Sequence, residues 1–400
     1  MATLKPFSAL RPAPELAERI CELPYDVMNS VEARVVAHNN PYSFLHISKP
    51  EIDLKPGIDT HDTAVYAKGA ENFRLLREQG ALVQDTQPCF YLYRQTMNGH
   101  SQVGLVAAAS CAEYDEGIIK KHELTRPDKE NDRVRHMEAL DSQTGPVFLT
   151  YRAEPEIDAF VKRITASEPV IAFTASDGVQ HATWTLDADA DIAFIVEQFA
   201  AIESLYIADG HHRSAAASRV CASRNRGGQS GQFLTVIFPD DQIQILAYNR
   251  AVKDLNGRDE ATFLSELENV FEIFEGGEGE CAAKNELGLY LGGQWRRLVF
   301  KPSVAATERL DVSLLQNHVL GPLLGVMDPR TNNRIAFIGG IRGAVELERL
   351  VDNGECSCAF SLFPTGIDDL MAIADADELM PPKSTWFEPK LRDGLFCHMI

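Results

Sequence analysis

At 400 residues and a net charge of −20, the chain is long enough for roughly two or three domains and too acidic for general nucleic-acid binding, which draws its affinity from cationic contacts to phosphates. Hydrophobic residues make up 45% and charged residues 24%, an ordinary globular balance that excludes a disordered chain, and no apolar run approaches the roughly 20 residues that cross a bilayer. The opening "MATLKPFSALRPAPELAERI" has prolines and charges where a signal peptide needs an apolar stretch, and the eight cysteines are scattered, with only Cys356 and Cys358 close, as C-S-C. The expectation is a soluble cytoplasmic protein with reduced thiols, Cys356 and Cys358 being alternate residues of a strand.

In chain order, "NSVEARVVAHN" predicts a helix capped by Asn29 or Ser30, with Glu32 in its first turn. Residues 59–80 predict an amphipathic helix ending at Gly80. "CFYLYRQTM" and "QVGLVAAASCAEY" predict two strands joined by a hairpin at Asn98-Gly99. After a polar stretch, 116–145, come a strand in "GPVFLTYRA", a helix in "DADIAFIVEQFAAI", a strand in "LYIAD" and a helix in "SAAASRVCASRN". "QFLTVIFP" and "QIQILAYNRAV" predict a strand pair around Asp240-Asp241. Residues 257–326 alternate helix and strand, and the tail has strands in "RIAFIGG" and "CAFSLFP", a helix in "IDDLMAIADAD" and an irregular "MPPKSTWFEPKLRDGL". Hairpins mixed with strand–helix pairs predict an α+β or mixed α/β, multi-domain protein, not a doubly wound parallel sheet. The expected portions are 1–150, an α/β part with a basic segment; 151–255, with Asp209-Gly210-His211-His212-Arg213; and 256–400, an α+β part with a proline-rich strap.

The D-G-H-H-R run lies between a strand and a helix, where backbone N–H groups and the positive end of the helix dipole attract an anion, typically phosphate. Gly210 lets the backbone approach, and Arg213 can grip a phosphate with two N–H groups. His211 and His212 cannot point the same way, so one of them faces the ligand. Asp209 beside a phosphate repels it unless Mg²⁺ or a hydroxyl proton intervenes, which favours phosphoryl chemistry over simple anion binding. A metal hydrolase with Asp and His ligands is the competing chemistry, and it lacks spacing such as H-E-x-x-H. A helix cap with solvated histidines is the bland alternative.

Three further stretches accompany this run. "GIIKKHELTRPDKENDRVRH" concentrates Lys120, Lys121, His122, Glu123, Arg126, Lys129, Arg133 and Arg135 on an acidic protein, which focuses phosphate binding. There Lys129 and Arg133 are phosphate candidates, Glu123 is a candidate general base or metal ligand, and His122 a candidate substrate contact. The like-charged pair Asp128 and Asp132 argues against a helix that is merely laced by ion pairs. In "MPPKSTWFEPKLRDGL", Lys383, Ser384, Thr385 and Lys390 are candidate phosphate ligands, though no Gly-x-x-x-x-Gly-Lys precedes them and a P-loop is excluded. The alternative there is a rigid strap that packs Trp386 and Phe387. In "CELPYDVMN" and "HNNPYSFLHIS", Asp26 and His46 either line the substrate site or are satisfied structural groups.

Taken together, "LPYDVMN", "NPYSFLHI", "KKHELTRPDKENDRVRH", "YIADGHHRSAAA", "DPRTNNRIAFIGG" and "MPPKSTWFEPKLRDGL" resemble the bacterial family known as domain of unknown function 1015, from about residue 5 to residue 400. Over about residues 160–250, D-G-H-H-R also resembles the phosphate-binding box of the ParB/sulfiredoxin-like fold, as used by archaeal free-serine kinases. That resemblance implies a ParB/sulfiredoxin-like portion within 151–255. It implies nucleotide phosphates held by His211, His212, Arg213 and the amides after Gly210, with Asp209 as the acidic catalyst. The kinases' second acidic catalyst has no counterpart inside the matched stretch, and Glu123 is its chemical substitute. DNA-segregation proteins share the fold, but their box is more basic and they carry a DNA-binding helical domain.

The function this predicts is a cytoplasmic, Mg²⁺-dependent kinase with ATP or ADP as donor, acting on a small hydroxyl metabolite, free L-serine first. Its partners are small molecules, neither nucleic acid nor membrane. The alternatives are a non-catalytic nucleotide or phosphometabolite sensor, and a metal-dependent phosphohydrolase.

Overall fold

The computed structural model describes residues 2–225, 227–306 and 308–400. Its contacts divide into two compact units, residues 1–243 with 389–400 and residues 244–388. The division expected near residues 150 and 255 differs from these units, because one sheet takes its strands from both sides of residue 150 and the chain leaves that sheet only after Pro239.

The first unit is built on a nine-stranded sheet: β1 (Leu4–Lys5), β2 (Phe90–Met97), β3 (His100–Ser110), β4 (Ile119–Lys120), β5 (Val147–Tyr151), β6 (Ile171–Thr174), β7 (Gln180–Leu186), β8 (Leu205–Asp209) and β9 (Gln232–Pro239). Across the sheet the order is β4-β8-β5-β9-β3-β2-β7-β6, and β1 pairs with β3. The β2–β3 hairpin turns on Asn98 and Gly99, with φ of 52° and 83°, the left-handed conformation that the Asn-Gly pair allows at low cost. Two pairings are parallel, β4 with β8 and β5 with β9, and the rest are antiparallel. The fold is mixed α/β, as its order of elements predicts.

Three helices frame the site: α1 (Thr63–Glu78), α2 (Pro127–Leu140) and α3 (His211–Ser223). The side chain of Asp62 caps α1 by accepting from the Ala64 N–H at 2.8 Å. Helix α3 buries Ala215, Ala216, Ala217, Val220 and Cys221 in the same core as Leu149, Ile207, Phe233 and Ile237. The small alanines let this helix approach the sheet closely, and apolar burial at about 25 cal/mol per Å² holds it there. Arg219 on α3 bonds Glu130 (3.2 Å) and Asn131 (2.8 Å) on α2, tying the two helices together.

The second unit has a six-stranded antiparallel sheet that includes Tyr248–Val252, Glu286–Leu291 and Cys358–Leu362. The expected strand pair around Asp240-Asp241 does not form. A 3₁₀ turn at Asp240–Gln242 ends β9, and the following strands pair instead with Trp386–Glu388, Ile335–Gly339 and Cys358–Leu362. All eight cysteines are free thiols, and all but Cys281 are buried. No helix among the described residues is long and apolar enough to cross a membrane.

Candidate functional site

Strand β4 runs parallel to β8, with Ile119 opposite Leu205 and Lys120 opposite Tyr206. Parallel neighbours leave a sheet at the same end, so the residues after Lys120 and those after Asp209 emerge side by side. That register brings His122 and Glu123 to the D-G-H-H-R turn, although more than eighty residues separate them in sequence. Strand β8 slips register against β5 between Ile207 and Asp209, which carries Asp209 to the end of the sheet.

Helix α3 begins at His211, not at Ser214, so both histidines and Arg213 sit in its first turn. Its N-cap is Gly210, at φ 102°, a residue with no side chain to cap the helix. The positive end of the α3 dipole lies at this turn, where negative charge is favoured. Glycine is required here on two counts. Its φ is one that L side chains rarely adopt, and a Cβ would stand 3.1–3.3 Å from the guanidinium of Arg213. Gly210→Ala is expected to lower stability by about 1–2 kcal/mol and to displace Arg213, a fall that thermal unfolding would register as several degrees.

The two histidines separate as expected. His211 is buried, its ring edge-on to the His122 ring with centroids 4.4 Å apart, and its Nε2 accepts from the His122 N–H at 3.5 Å. His212 is half-buried, and its Nε2 accepts from the Arg126 N–H at 3.1 Å. Burial pushes the His122 pKa down to about 4, against opposing pulls from Asp209 and the Ile207 backbone. Burial, then the neighbouring His122, takes His211 well below the ordinary histidine value. Both rings are neutral at pH 7.

Asp209 is held between two cations. Lys390 donates to its Oδ2 at 3.0 Å, and Arg213 Nη2 lies 3.7 Å from its Oδ1. Arg213 is only 5% exposed and gives Nη1 to the Pro146 carbonyl. Burial works against its charge, but Asp209, Asp26 and Asp393 outweigh that cost and raise its pKa. Behind it lies Asp393, whose carboxyl is pushed up to about 7 by burial despite Arg213, with Asp26 adding to the rise. Its Oδ1 is buried with no hydrogen-bond partner among the described residues. Arg133 completes this layer: it pairs with Asp132 at 2.7 Å and stacks over Tyr25 at 3.7 Å, while Tyr66 donates to Asp132.

Of the residues expected from sequence, Asp209, Gly210, His211, His212, Arg213, His122, Glu123 and Lys390 come together at this turn. Asp26 and Arg133 adjoin it through Arg213, Tyr25 and Asp393. Lys129 is half-buried in the first turn of α2. His46 is engaged elsewhere, by Asp53 (2.7 Å) and the Asn40 carbonyl (3.1 Å), beside a cleft of about 410 Å³ lined by Tyr42, Asn72 and Leu75 among others. Lys383, Ser384 and Thr385 belong to the second unit. There Ser384 Oγ donates to the Pro381 carbonyl at 2.6 Å, and the Lys383 carbonyl accepts from Arg250. Sequence reasoning missed Asp393 and Tyr25. The Asp-Gly pair at 393–394 is the signal for the first, since Gly394, at φ 82°, turns the chain tightly against Phe44.

No curated protein sequence matches the chain. Among solved structures, it is similar to SbnI with a C-terminal truncation from Staphylococcus aureus, at 11% identity and a TM-score of 0.39, over 72% of this chain and 85% of that one. It is also similar to a conserved hypothetical protein from Pyrococcus furiosus, at 14% identity and a TM-score of 0.37, over 72% of this chain and 93% of that one. A free serine kinase in complex with AMP aligns at 12% identity with a TM-score of 0.36, over 71% of this chain and 86% of that one. The family profile described as protein of unknown function (DUF1015) matches residues 4–313, and the chain belongs to that family.

Proposed function

We propose that the protein is a nucleotide-dependent phosphotransferase that acts on a small hydroxyl metabolite, free L-serine first. The observation that carries this reading is the α3 N-terminus, begun by a glycine at φ 102°, next to a carboxylate that is itself held by a lysine. An anion site and an acid–base group in one place are what phosphoryl transfer needs. In this reading the amides after Gly210 and the His212 ring bind phosphates of ATP or ADP, and neutral His211 adds no charge to repel Arg213.

Asp209 orients the acceptor hydroxyl and takes its proton as the oxygen attacks the terminal phosphorus. The bond to the leaving phosphate oxygen breaks in the same displacement. Glu123 is the alternative base. Lys390 offsets charge that develops on the transferred group. Arg213 is committed to the Pro146 carbonyl and to Asp209, so its part is to set the carboxylate's position. Arg133, matched by Asp132, holds Tyr25, and Lys129 adds positive potential. Ser384 spends its hydroxyl within its own turn, and the assignment leaves out Lys383, Ser384 and Thr385. Mg²⁺, whose ligands are oxygens, would be held by the carboxylate of Asp209 or Glu123 together with the nucleotide phosphates, and would supply charge neutralisation.

Phosphorus NMR with Mg-ATP or Mg-ADP, with and without L-serine, tests this. A phosphomonoester signal that requires serine supports the reading. Unconsumed nucleotide in the presence of serine and other small alcohols would leave a sensor. Inorganic phosphate released equally without an acceptor would make the protein a phosphohydrolase.

A further inference from the structure

We infer that His122, Glu123 and His211 form a binding site for a divalent transition-metal ion. One donor atom from each of the three lies within 4.8 Å of the other two. Two segments far apart in sequence supply them: the residues that follow β4 and the first turn of α3. Donors this close need little movement to reach the roughly 2.0–2.2 Å bonds that zinc makes to nitrogen and oxygen.

The state of His122 separates a ligand site from an ordinary pair of core histidines. It is 2% exposed, and its Nδ1 is buried with no hydrogen-bond partner among the described residues. A buried polar atom left so is costly, and core histidines are ordinarily satisfied. A bound ion would take up that nitrogen. The interaction of the same ring with the Ile207 backbone is the kind of outer contact that fixes a ligating imidazole. On His211, Nε2 already acts as an acceptor, although its partner, the His122 N–H, stands at the long distance of 3.5 Å. Glu123 is half-buried, which gives the cluster a way out to solvent and an ion a way in.

The donor set decides the class of ion. Two imidazoles and a carboxylate suit Zn²⁺, Co²⁺, Fe²⁺ or Mn²⁺, whereas Mg²⁺ and Ca²⁺ take oxygen almost throughout. Three protein ligands leave a coordination position open, the pattern of a site that accepts a further ligand. The inference does not require the phosphotransferase reading, since an ion can be held with no nucleotide present. If both hold, Glu123 is a ligand and Asp209 alone is the base.

The test is titration of the full, metal-stripped chain with Co²⁺, followed by visible absorption and metal analysis. The expected result is about one equivalent bound, with visible ligand-field bands and without the intense near-ultraviolet band of thiolate coordination. Zn²⁺ displaces the Co²⁺, and Mg²⁺ in large excess does not. Glu123→Gln and His211→Asn each weaken binding by about tenfold or more, and His212→Asn, next to the cluster but outside it, leaves binding unchanged. Circular dichroism checks the fold of each variant. Should His211→Asn fail to fold, Glu123→Gln, altering a half-buried side chain, carries the test alone. Absence of stoichiometric binding, binding that survives Glu123→Gln undiminished, or a thiolate band would overturn the inference.

Discussion

Asp209→Asn is expected to slow phosphoryl transfer by about 10²–10⁴-fold, the usual worth of a positioned acid–base group, while the protein stays folded. Asparagine keeps the shape and still accepts from Lys390, so the 3.0 Å contact survives as a neutral hydrogen bond. Arg213 keeps the Pro146 carbonyl and the field of Asp393, so it is not left as an isolated buried charge. Nucleotide affinity should hold within a few-fold or rise, because the variant removes a carboxylate that repels phosphate. Initial rates by phosphorus NMR, with calorimetric binding of the nucleotide, separate the two effects. Full turnover in the variant would remove Asp209 from the reaction and pass the base role to Glu123.

The second large effect is a loss of stability in mild acid. His136, His181 and His398 are buried neutral. Burial lowers their pKa values to about 4, about 3 and about 4, and Arg133 and Arg392 push the first two further down. An unfolded histidine titrates near 6.5. Between that value and about 4 the unfolded chain binds more protons than the folded one, so stability is present above pH 6.5 and drains away as pH falls. At pH 5 the loss is roughly 1–2 kcal/mol per histidine.

Asp393 works in the opposite sense. Its folded pKa of about 7 exceeds the unfolded carboxyl value, so its contribution is complete below about pH 4 and lost as pH rises to 7. His46, raised by its bond to Asp53, acts in the same direction, and its partial exposure screens the effect. The three histidines outweigh these two. The urea midpoint is therefore expected to fall from pH 7.5 to pH 5, and His136→Gln should flatten the curve by giving up one of the three. A midpoint that stays level over that range would mean that these rings titrate as solvated histidines.

The local text of the site was legible. Five residues without a break, Leu205–Asp209, form the strand the sequence predicts, and Asn98-Gly99 closes the expected hairpin. These features depend on neighbours within a few positions. The meeting of Glu123 with His211 depends instead on β4 lying parallel to β8, a choice of partner that no local period encodes. Lys390 was readable as a cation for phosphate, but not as the partner of Asp209, because that contact needs the chain to return to the first unit after residue 388. Asp393 escaped notice for the same reason: its meaning comes from Arg213 and from burial, not from its sequence neighbours. Strands form at Gln244–Leu246 and Tyr248–Val252, but their expected pairing across Asp240-Asp241 fails where the two units divide, a boundary without any shift in composition.

That return of the chain has a consequence for biosynthesis. A ribosome releases the D-G-H-H-R turn long before it makes Lys390, Arg392 and Asp393. Until residues 389–400 are made, Asp209 lacks its contact with Lys390, and Asp177 and His181 lack the buried Arg392 that joins them. The antiparallel pairing of His398–Met399 with Ser142–Gln143 then fastens this returning segment to the first unit. A product that stops short of residue 390 thus carries the D-G-H-H-R turn without Lys390, and that contact forms only after the whole second unit has been made.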